Sequence, residues 1–303
     1  MDWITGIQNA IDYIEEHITE ELDYKVIASK SFSSSFHFQR MFSILCGYTL
    51  GEYIRNRRLT LAGAELATGG NRVIDVAFKY GYDSPESFTK AFQKFHGMTP
   101  SQARSGGAML KAFSRLSIKV SLEGGNVMTY RIEQKKAMTL TGYKRRFTGS
   151  PMNRELQDHK FICETRLNQA ILNFMAHDVD TNYTVLSNFS DDGYDYHIAS
   201  YIGSKSLACF EDDMGSEICS RFEPILIPEG IYLVCETEHS KYPLDELDDL
   251  YCRAVTQWLP SSGYELIDGP EVEVTHWFYR ENDEALNSTR YCELWLPIAK
   301  KTI

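Results

Sequence analysis

Along the first hundred residues, apolar positions recur at the three-to-four-residue spacing of amphipathic helices. Four isoleucines from Ile7 to Ile18 mark the first stretch, with Thr5 as its expected N-cap. The same spacing continues from Leu22 onward, with breaks at 31–35, 47, 69–70 and 81. The pattern therefore predicts a run of short helices joined by tight turns.

This helical segment matches itself at an offset of fifty residues. The matching pairs are Ser34 and Ser84, Phe38 and Phe88, Arg40 and Lys90, Phe42 and Phe92, Gly47 and Gly97, and Thr49 and Thr99. Each copy has the pattern of a helix, a tight turn and a second helix opened by a serine N-cap. A solenoid needs about three copies or more, so two copies predict a pair of helix-turn-helix modules, whose second helix enters the DNA major groove.

The stretch 49–66 between the two copies contains no proline. As a helix it would span about 27 Å, at about 1.5 Å per residue. Two major grooves on one face of B-DNA lie about 34 Å apart. We therefore expect one continuous helix that sets the two modules near this spacing.

Beyond Met128 the apolar pattern changes to period two. Strand candidates rich in Val, Ile, Tyr, Trp and Thr lie at 130–143, 194–202, 222–237, 271–279 and 291–298, and helical stretches at 155–176 and 243–259. The order strand, helix, strand, strand occurs twice. The predicted fold is therefore an all-α tandem helix-turn-helix DNA-binding domain followed by an α+β domain of two related strand-helix-strand-strand halves, with helices on one face of antiparallel sheets.

Two glycine pairs, Gly106–Gly107 and Gly124–Gly125, lie near the ends of a stretch that begins helical and ends alternating. We expect a DNA-binding domain at 1–108, a linker at 109–127 and a second domain at 128–303. Because the glycines interrupt both patterns there, the two domains are expected to fold separately.

Charge is distributed unevenly along the 303 residues. Residues 1–125 carry 14 basic and 13 acidic residues, whereas the remainder carries 17 and 29, and the segment 31–119 alone carries 12 basic and 5 acidic residues. A basic segment fused to an acidic one indicates a polyanion-binding module joined to a module with another task. The seven cysteines include no C-x-x-C pair, and no secretory signal or membrane span is recognisable, so we expect a cytoplasmic protein.

The repeat carries further residues at fixed spacing: Leu22, Ile27, Ala28, Phe32, Ser33, Phe38, Arg40, Phe42, Gly47, Tyr53, Arg57, Arg58, Leu59, Ala62, Leu66, Ile74, Asp75, Val76, Ala77, Gly81, Tyr82, Ser84, Phe88, Phe92, Phe95, His96, Gly97, Thr99, Pro100 and Arg104. On these residues, about a third of the chain resembles the AraC/XylS-type DNA-binding domain. Tyr80 and Tyr82 stand where phenylalanine is commoner, a change that should not disturb packing.

The resemblance implies that DNA is read by side chains facing out of the two second helices. These are Ser35, Phe36, Gln39 and Arg40 in the first copy, and Pro85, Glu86, Ser87 and Lys90 in the second.

The chemistry of these side chains suggests different tasks. Arg40 and Gln39 have bidentate groups for base edges, and Phe36 suits a thymine methyl. Arg57, Arg58, Lys90 and Lys94 suit phosphates, although Arg57 and Arg58 serve equally well to solvate a helix face. Glu86 can accept a hydrogen bond from cytosine or interact with the helix dipole.

The second half carries four phrases in order: 227–232 (IPEGIY), 258–264 (WLPSSGY), 269–273 (GPEVE) and 293–298 (ELWLPI). With these, residues 128–303 resemble the GyrI-like effector-binding domain. The resemblance implies a cleft between two halves that binds small, often aromatic or cationic, organic molecules. After Glu273, the segment Val274-Thr275-His276 replaces the aromatic residue often found near that place, which puts the role of Glu273 in doubt.

Alternation along the last strand places Glu293 and Trp295 on one face and Leu294 and Leu296 on the other. If the leucines pack under the helices, a carboxylate and an indole form a surface that attracts cations. The alternative is a solvated edge strand. The full set of candidate ligand-binding residues is Glu293, Trp295, Tyr196, Tyr232, Trp258, Trp277 and Glu273. The four aromatic residues that follow Trp295 in this set are weaker candidates, because aromatic residues at such spacing are more often core.

No metal-binding, nucleotide-binding or nucleophile motif stands out, so we expect no metal, no cofactor and no enzymatic activity. The expected function is a ligand-responsive transcription regulator, with double-stranded DNA, a small-molecule effector and RNA polymerase as partners and no membrane. Two alternatives stay open. The second domain can hydrolyse its ligand, with a pocket carboxylate as general base, or it can hold a protein partner instead of a small molecule.

Overall fold

The computed structural model describes residues 3–31, 34–105, 107–118, 127–176, 178, 180–203, 216–278 and 284–301. Phe32, Ser33, Gly106, Gly124, Gly125 and position 279, all used above, lie outside these ranges. The chain divides into two compact units, one formed by Met1–Phe42 and Tyr48–Glu123 and the other by Ser43–Gly47 and Gly124–Ile303.

The first unit is helical. Its helices are α1 (Trp3–Glu16), α2 (Tyr24–Ser29), α3 (Ser35–Cys46), α4 (Leu50–Ala67), α5 (Val73–Lys79), α6 (Pro85–His96) and α7 (Pro100–Ala103). Helix α1 begins before Thr5, so Thr5 is not its N-cap. The other caps follow the expected chemistry: Ser34 Oγ accepts a hydrogen bond from the N–H of His37, and Ser84 caps α6 in the same way through Ser87.

Helices α5 and α6 form the second helix-turn-helix module. Its core contains Ala77, Phe88 and Phe92 together with Leu59 and Leu66 of α4. The turn between α5 and α6 passes through Gly81, whose φ of 77° is a left-handed conformation that favours glycine. The repeated sequence therefore folds as two modules flanking α4, and Thr49 and Glu52 form a capping box at the start of α4.

Residues 110–118, expected to belong to the linker, have no regular secondary structure and lie against the helices of this unit. The N–H of Phe113 donates to Thr60 Oγ1 at 2.9 Å, and the N–H of Leu116 donates to the Tyr53 hydroxyl at 3.3 Å. The N–H of Ile118 reaches Gln8 Oε1 of α1 at 3.2 Å. This part of the predicted linker is thus an ordered strap on the helical unit.

The second unit is an α+β fold. Its strands are β1 (Thr129–Lys135), β2 (Met138–Thr148), β3 (Thr181–Ser190), β4 (Gly193–Ser200), β5 (Glu223–Ile227), β6 (Gly230–Glu236), β7 (Tyr264–Leu266), β8 (Glu271–His276) and β9 (Tyr291–Lys300). Its α-helices are α8 (Glu155–Glu164), α9 (Arg166–Met175), α10 (Ser216–Cys219), α11 (Leu247–Arg253), α12 (Leu259–Ser261) and α13 (Glu284–Asn287). Short 3-10 turns occupy Pro151–Asn153 and Pro243–Glu246, and a π-helical turn occupies Ala254–Trp258.

The strands form one antiparallel sheet in the order β1-β6-β9-β8-β3-β4-β2-β5, with β7 paired to β9. The two halves exchange their first strands, because β1 pairs with β6 of the second half and β5 pairs with β2 of the first. Helices α8 and α11 lie on one face. On the other face Leu140 and Ile225 share a core with Val234 and Trp295, so the sheet is curled around that core.

The fold class predicted from sequence is confirmed, with three corrections in detail. The stretch 130–143 contains two strands, β1 and β2, and 222–237 contains β5 and β6, so each half begins with two consecutive strands that do not pair with each other. Strand β3 was missed altogether. The two long helical stretches are broken, at Thr165 in the first and by the π-helical turn in the second.

Within the described part of the chain, no helix is long and apolar enough to cross a membrane. The six cysteines that the structure describes carry free thiols.

Candidate functional site

Helix α6 presents a continuous polar face to solvent. Glu86, Ser87, Lys90 and Lys94 are exposed, whereas Phe88, Phe92 and His96 on the opposite side are buried. The helix starts at Pro85, which is half-buried and has the fixed φ that suits the first helical position. All the residues predicted to bind DNA from this copy therefore lie at the start or on one side of this helix. The major groove of B-DNA is wide enough to admit such a helix.

Sequence reasoning overlooked one member of this face. Gln93 is exposed between Lys90 and Lys94. The i, i+3, i+4 spacing from Lys90 to Gln93 and Lys94 is the signal that identifies it.

Helix α3 offers a narrower surface. Ser35, Phe36 and Gln39 are half-buried, and the amide of Gln39 donates to Ser35 Oγ at 3.1 Å. Arg40 is only 4% exposed. The prediction that Arg40 contacts a base edge therefore has no support in this conformation, because a buried guanidinium does not reach a base.

Arg57 has a structural task instead of the predicted phosphate contact. Its guanidinium binds Glu15 of α1 through two hydrogen bonds of 2.8 and 2.7 Å and also donates to the Phe113 carbonyl at 2.7 Å. The Tyr53 hydroxyl donates to the same carboxylate at 2.6 Å. Burial raises the pKa of Glu15, but the hydrogen bonds from Arg57 and Tyr53 outweigh this effect and hold the pKa below its ordinary value.

Arg58 is likewise engaged within the helical unit. It donates to the carbonyls of Ile18 at 2.8 Å and Glu20 at 2.7 Å, which close the end of α1. Both arginines were expected to neutralise phosphates or to solvate a helix face. The structure corrects both expectations, since each guanidinium joins α4 to the segment around α1.

In the second unit, Glu293 and Trp295 lie side by side on the curled face of β9, and Leu294 and Leu296 are fully buried on the helix side. This confirms the predicted alternation. Glu293 and Trp295 are each 7% exposed, so the solvated-strand alternative is wrong. The indole Nε1–H donates to Glu293 Oε2 at 2.7 Å.

Two cations of β1 complete this cluster. Arg131 Nη2 lies 2.7 Å from Glu293 Oε1, and Lys135 Nζ lies 3.6 Å from the centroid of the Trp295 ring. The carboxylate and the indole thus attract positive charge, as their chemistry predicted, but the charge comes from the chain itself. Neither cation was identified from the sequence, because strand pairing between β1 and β6 is needed to bring them there.

A stacked aromatic column continues from Glu293 along the same face. The Tyr291 ring lies between His276 at 4.3 Å and His239 at 4.7 Å, with interplanar angles of 19° and 5°. Burial lowers the pKa of His276 below its ordinary value, and His276 Nε2 is buried without a hydrogen-bond partner in the described structure.

Glu273 lies on the helix side of the sheet, opposite Glu293. Arg154, at the start of α8, holds it through two contacts of 2.7 and 2.8 Å, and the guanidinium carbon lies 5.7 Å from the Tyr196 ring centroid. The two side chains are 14% and 6% exposed. Burial raises the pKa of Glu273, and Arg154 opposes this rise. Glu273 therefore does not share a surface with Glu293.

The remaining aromatic candidates are dispersed. Tyr196 belongs to the core with Phe147, whose ring stacks on it at 4.4 Å, and Tyr232 donates its hydroxyl to the Pro228 carbonyl at 3.0 Å. Trp258 contacts Tyr130 on the helix side. Trp277 lies under the Arg290 guanidinium. Of these four, only Tyr232 shares a core cluster with Trp295.

Among the described residues, no group of histidine, cysteine, aspartate or glutamate side chains has the arrangement of a metal site.

Comparison with known proteins assigns both halves. A model of a helix-turn-helix domain matches residues 27–106, and the GyrI-like small molecule binding domain matches residues 128–299. Over 98 residues the chain is 44% identical to the regulatory protein SoxS of Salmonella typhimurium, covering 32% of this chain and 92% of SoxS.

One further relative and one solved structure cover more of the chain. The uncharacterized HTH-type transcriptional regulator YbfP of Bacillus subtilis is 27% identical over 209 residues, which are 68% of this chain and 65% of YbfP. A putative transcription regulation protein from Staphylococcus aureus has a crystal structure that covers 57% of this chain and 99% of its own, at 17% identity and a TM-score of 0.39.

Proposed function

The chain belongs to the GyrI-like small molecule binding domain family and carries an AraC-type helix-turn-helix domain, and from this premise we propose where its two ligands bind. It is a DNA-binding transcription regulator. We propose that α6 is its main DNA-reading element and that the effector, an organic cation or aromatic compound, binds at Glu293 and Trp295. The division at 1–108, 109–127 and 128–303 is part of this proposal.

The DNA proposal is supported chiefly by the exposed face of α6. Lys90 and Lys94 are exposed, and neither makes an ion pair among the described residues, so their charges are available to phosphates. Glu86 and Ser87 lie in the first turn, the part of a recognition helix that meets base edges. Gln39 and Phe36 of α3 extend the contact to a second groove segment, with Gln39 giving up its bond to Ser35.

Titration of the full chain against operator and random DNA tests this. Lys90→Ala and Lys94→Ala are each expected to weaken binding to operator and to random DNA alike. Each should also reduce the steepness of log affinity against log salt by about one. Gln39→Ala is expected to cost about 1–3 kcal/mol on the operator only. Lys111→Ala is the matched control, because Lys111 is exposed on the strap. Equal losses in Lys90→Ala and the control would contradict the role of α6.

The effector proposal is supported by a carboxylate and an indole that lie just below the surface. They adjoin the Tyr291 column, so a flat cation can place its charge on Glu293 and its apolar part on the rings. Glu293→Gln keeps the shape but removes the charge. It is expected to lose affinity for cationic compounds far more than for neutral ones.

Trp295→Ala removes contact area as well as the attraction of the ring for cations, so both kinds of compound should bind less tightly. Calorimetry on the full chain with benzyltrimethylammonium and its neutral isostere neopentylbenzene measures these differences. Equal affinity of both compounds for wild type and Glu293→Gln would refute the site.

We further propose that the second domain senses its ligand without turning it over. Glu293 Oε2 accepts a hydrogen bond from the Trp295 indole, which disfavours the use of this carboxylate as a general base. The comparisons give no support for hydrolysis, since the relatives named above are regulators. As a regulator it is expected to act in the cytoplasm and to contact RNA polymerase.

A further inference from the structure

Strand β1 carries three charged side chains on the face that it shares with Glu293 and Trp295. Because side chains alternate along a strand, Arg131, Glu133 and Lys135 point to the same side. The register pairs Arg131 with Val234, which is itself paired with Trp295, so β1 lies one strand away from the proposed effector site.

Each of the two cations contacts one of the two groups that attract cations. Arg131 is hydrogen-bonded to Glu293 Oε1, and Lys135 lies over the Trp295 ring. Glu133 accepts from both cations, at 3.2 Å from Arg131 and 3.1 Å from Lys135, and so holds them as a pair. The proposed cation site is therefore filled by a basic pair from the same chain.

The exposure of these groups indicates which of them can leave. The Arg131 side chain is 46% exposed, whereas that of Glu293 beneath it is 10% exposed, and one hydrogen bond joins them. By contrast, Arg154 is 14% exposed and holds Glu273 through two contacts. A half-exposed guanidinium regains hydration when it moves, so Arg131 exchanges at a lower cost than Arg154.

The position of β1 in the sheet also favours release. It is at one end of the strand order, and its described strand pairing is with β6. An edge strand with one neighbour opens at a lower free energy than a central one. Losing the contacts to Glu293 and Trp295 weakens the attachment of β1 further.

We propose that Arg131 and Lys135 are specificity-determining residues of the effector site, which an incoming organic cation displaces from Glu293 and Trp295 so that β1 is loosened. This rests on the proposed function and names the groups that an effector must replace. The apparent association constant equals the intrinsic one multiplied by the fraction of molecules in which the site is free. Compounds without a positive charge leave Glu293 uncompensated and are selected against.

Removing the competing cation tests the proposal. In Arg131→Gln, the full chain is expected to bind benzyltrimethylammonium about fivefold more tightly than wild type does, the effect of about 1 kcal/mol for a partly exposed ion pair. Neopentylbenzene should change by less than about twofold on the same scale. Arg131→Lys keeps a cation and should bind both compounds as wild type does.

Arg145→Gln is the matched control. Arg145 is 37% exposed, pairs with Glu164 at 2.7 Å and lies over the Phe161 ring, so it has the same kinds of partner as the β1 cations but on the helix side. Its loss is expected to leave both affinities unchanged. Far-UV circular dichroism and a thermal melt establish that each variant is folded before titration.

Hydrogen exchange supplies a second readout. Saturating benzyltrimethylammonium should accelerate exchange of the amides of residues 129–135 in wild type, and neopentylbenzene should not. Two results overturn this proposal, provided that Glu293→Gln still loses affinity for the cation. One is an Arg131→Gln variant that binds the cation no more tightly than wild type does, and the other is slower amide exchange in β1 when the cation binds. If Glu293→Gln retains the cation, the effector site itself is wrong.

Discussion

Arg154→Met is the substitution whose effect the structure specifies most sharply. It removes the guanidinium that contacts both oxygens of Glu273, at 2.7 and 2.8 Å, and replaces it with an apolar side chain of similar length. Glu273 is 6% exposed and on a central strand, so its carboxylate cannot turn to water. The variant is left with a buried charge that has lost its partner.

Removing one partner of a buried ion pair costs about 3–5 kcal/mol, because the remaining charge keeps its desolvation penalty. We expect a loss of about 3 kcal/mol in the free energy of unfolding, since the pair is nearly but not fully buried. Arg145→Met, which breaks the exposed pair with Glu164, should cost about 1 kcal/mol or less. The double substitution Arg154→Met with Glu273→Gln should recover most of the loss, because no unpaired charge remains.

The loss also has a predicted pH dependence. Burial already raises the pKa of Glu273, and Arg154 opposes that rise. Without Arg154 the pKa of Glu273 in the folded state rises further above its unfolded value. A carboxyl shifted in this direction favours the folded state at low pH and disfavours it as pH rises, so the deficit should shrink as the pH falls towards about 5.

Urea denaturation of the full chain measures these values. Three of the four tryptophans, Trp258, Trp277 and Trp295, belong to the second unit, so fluorescence follows its unfolding. The same experiment at about pH 5 and pH 8 gives the pH dependence. A deficit no larger than that of Arg145→Met, or one that is the same at both pH values, would refute the assignment of a buried, partner-dependent charge.

Two further predictions concern the helical unit. His96 donates from Nε2 to the Leu59 carbonyl at 3.0 Å and accepts at Nδ1 from the N–H of Lys111 at 3.2 Å, and burial lowers its pKa. Its neutral form is therefore needed, so stability should decrease as pH falls below about 6.5, and exchange of the Lys111 amide should accelerate there. Gly81→Ala places a side chain at a φ of 77°, with its Cβ 2.5 Å from Arg58 Nη1, and should lower the melting temperature by the equivalent of about 1–2 kcal/mol. Gly70→Ala, with nothing within 4 Å, is its control.

The helical unit was predictable because its signals are local. Helix spacing and serine caps depend on residues a few positions apart, and the fifty-residue repeat shows the same local pattern twice, so these signals correctly gave α3, α4 and α6. The boundary of α1 was wrong because Thr5 is a good capping residue that the helix includes instead. Strand β3 was missed because Asn182, Ser187 and Asn188 interrupt the apolar alternation that sequence reasoning relies on.

The partners of charged side chains were not predictable, since they depend on contacts far apart in sequence. Arg57 meets Glu15 across 42 positions, and Arg131 meets Glu293 across 162. Sequence reasoning identified Glu293 as the acceptor in the second pair but expected its positive partner to be an external ligand. It also grouped Glu273 with Glu293, although the sheet register places them on opposite faces.

Net charge is a poor guide to what the second domain binds. Residues 126–303 carry 29 acidic and 17 basic residues, which on its own favours a cationic ligand. Yet Glu273 and Glu293, two of the buried glutamates of this domain, are each paired with an arginine of the same domain. Under the proposed function, selectivity depends on how easily each arginine leaves its glutamate. Arg131, half-exposed on an edge strand and held to Glu293 by one bond, is the better candidate for exchange, whereas Arg154 is fixed between the sheet and the start of α8.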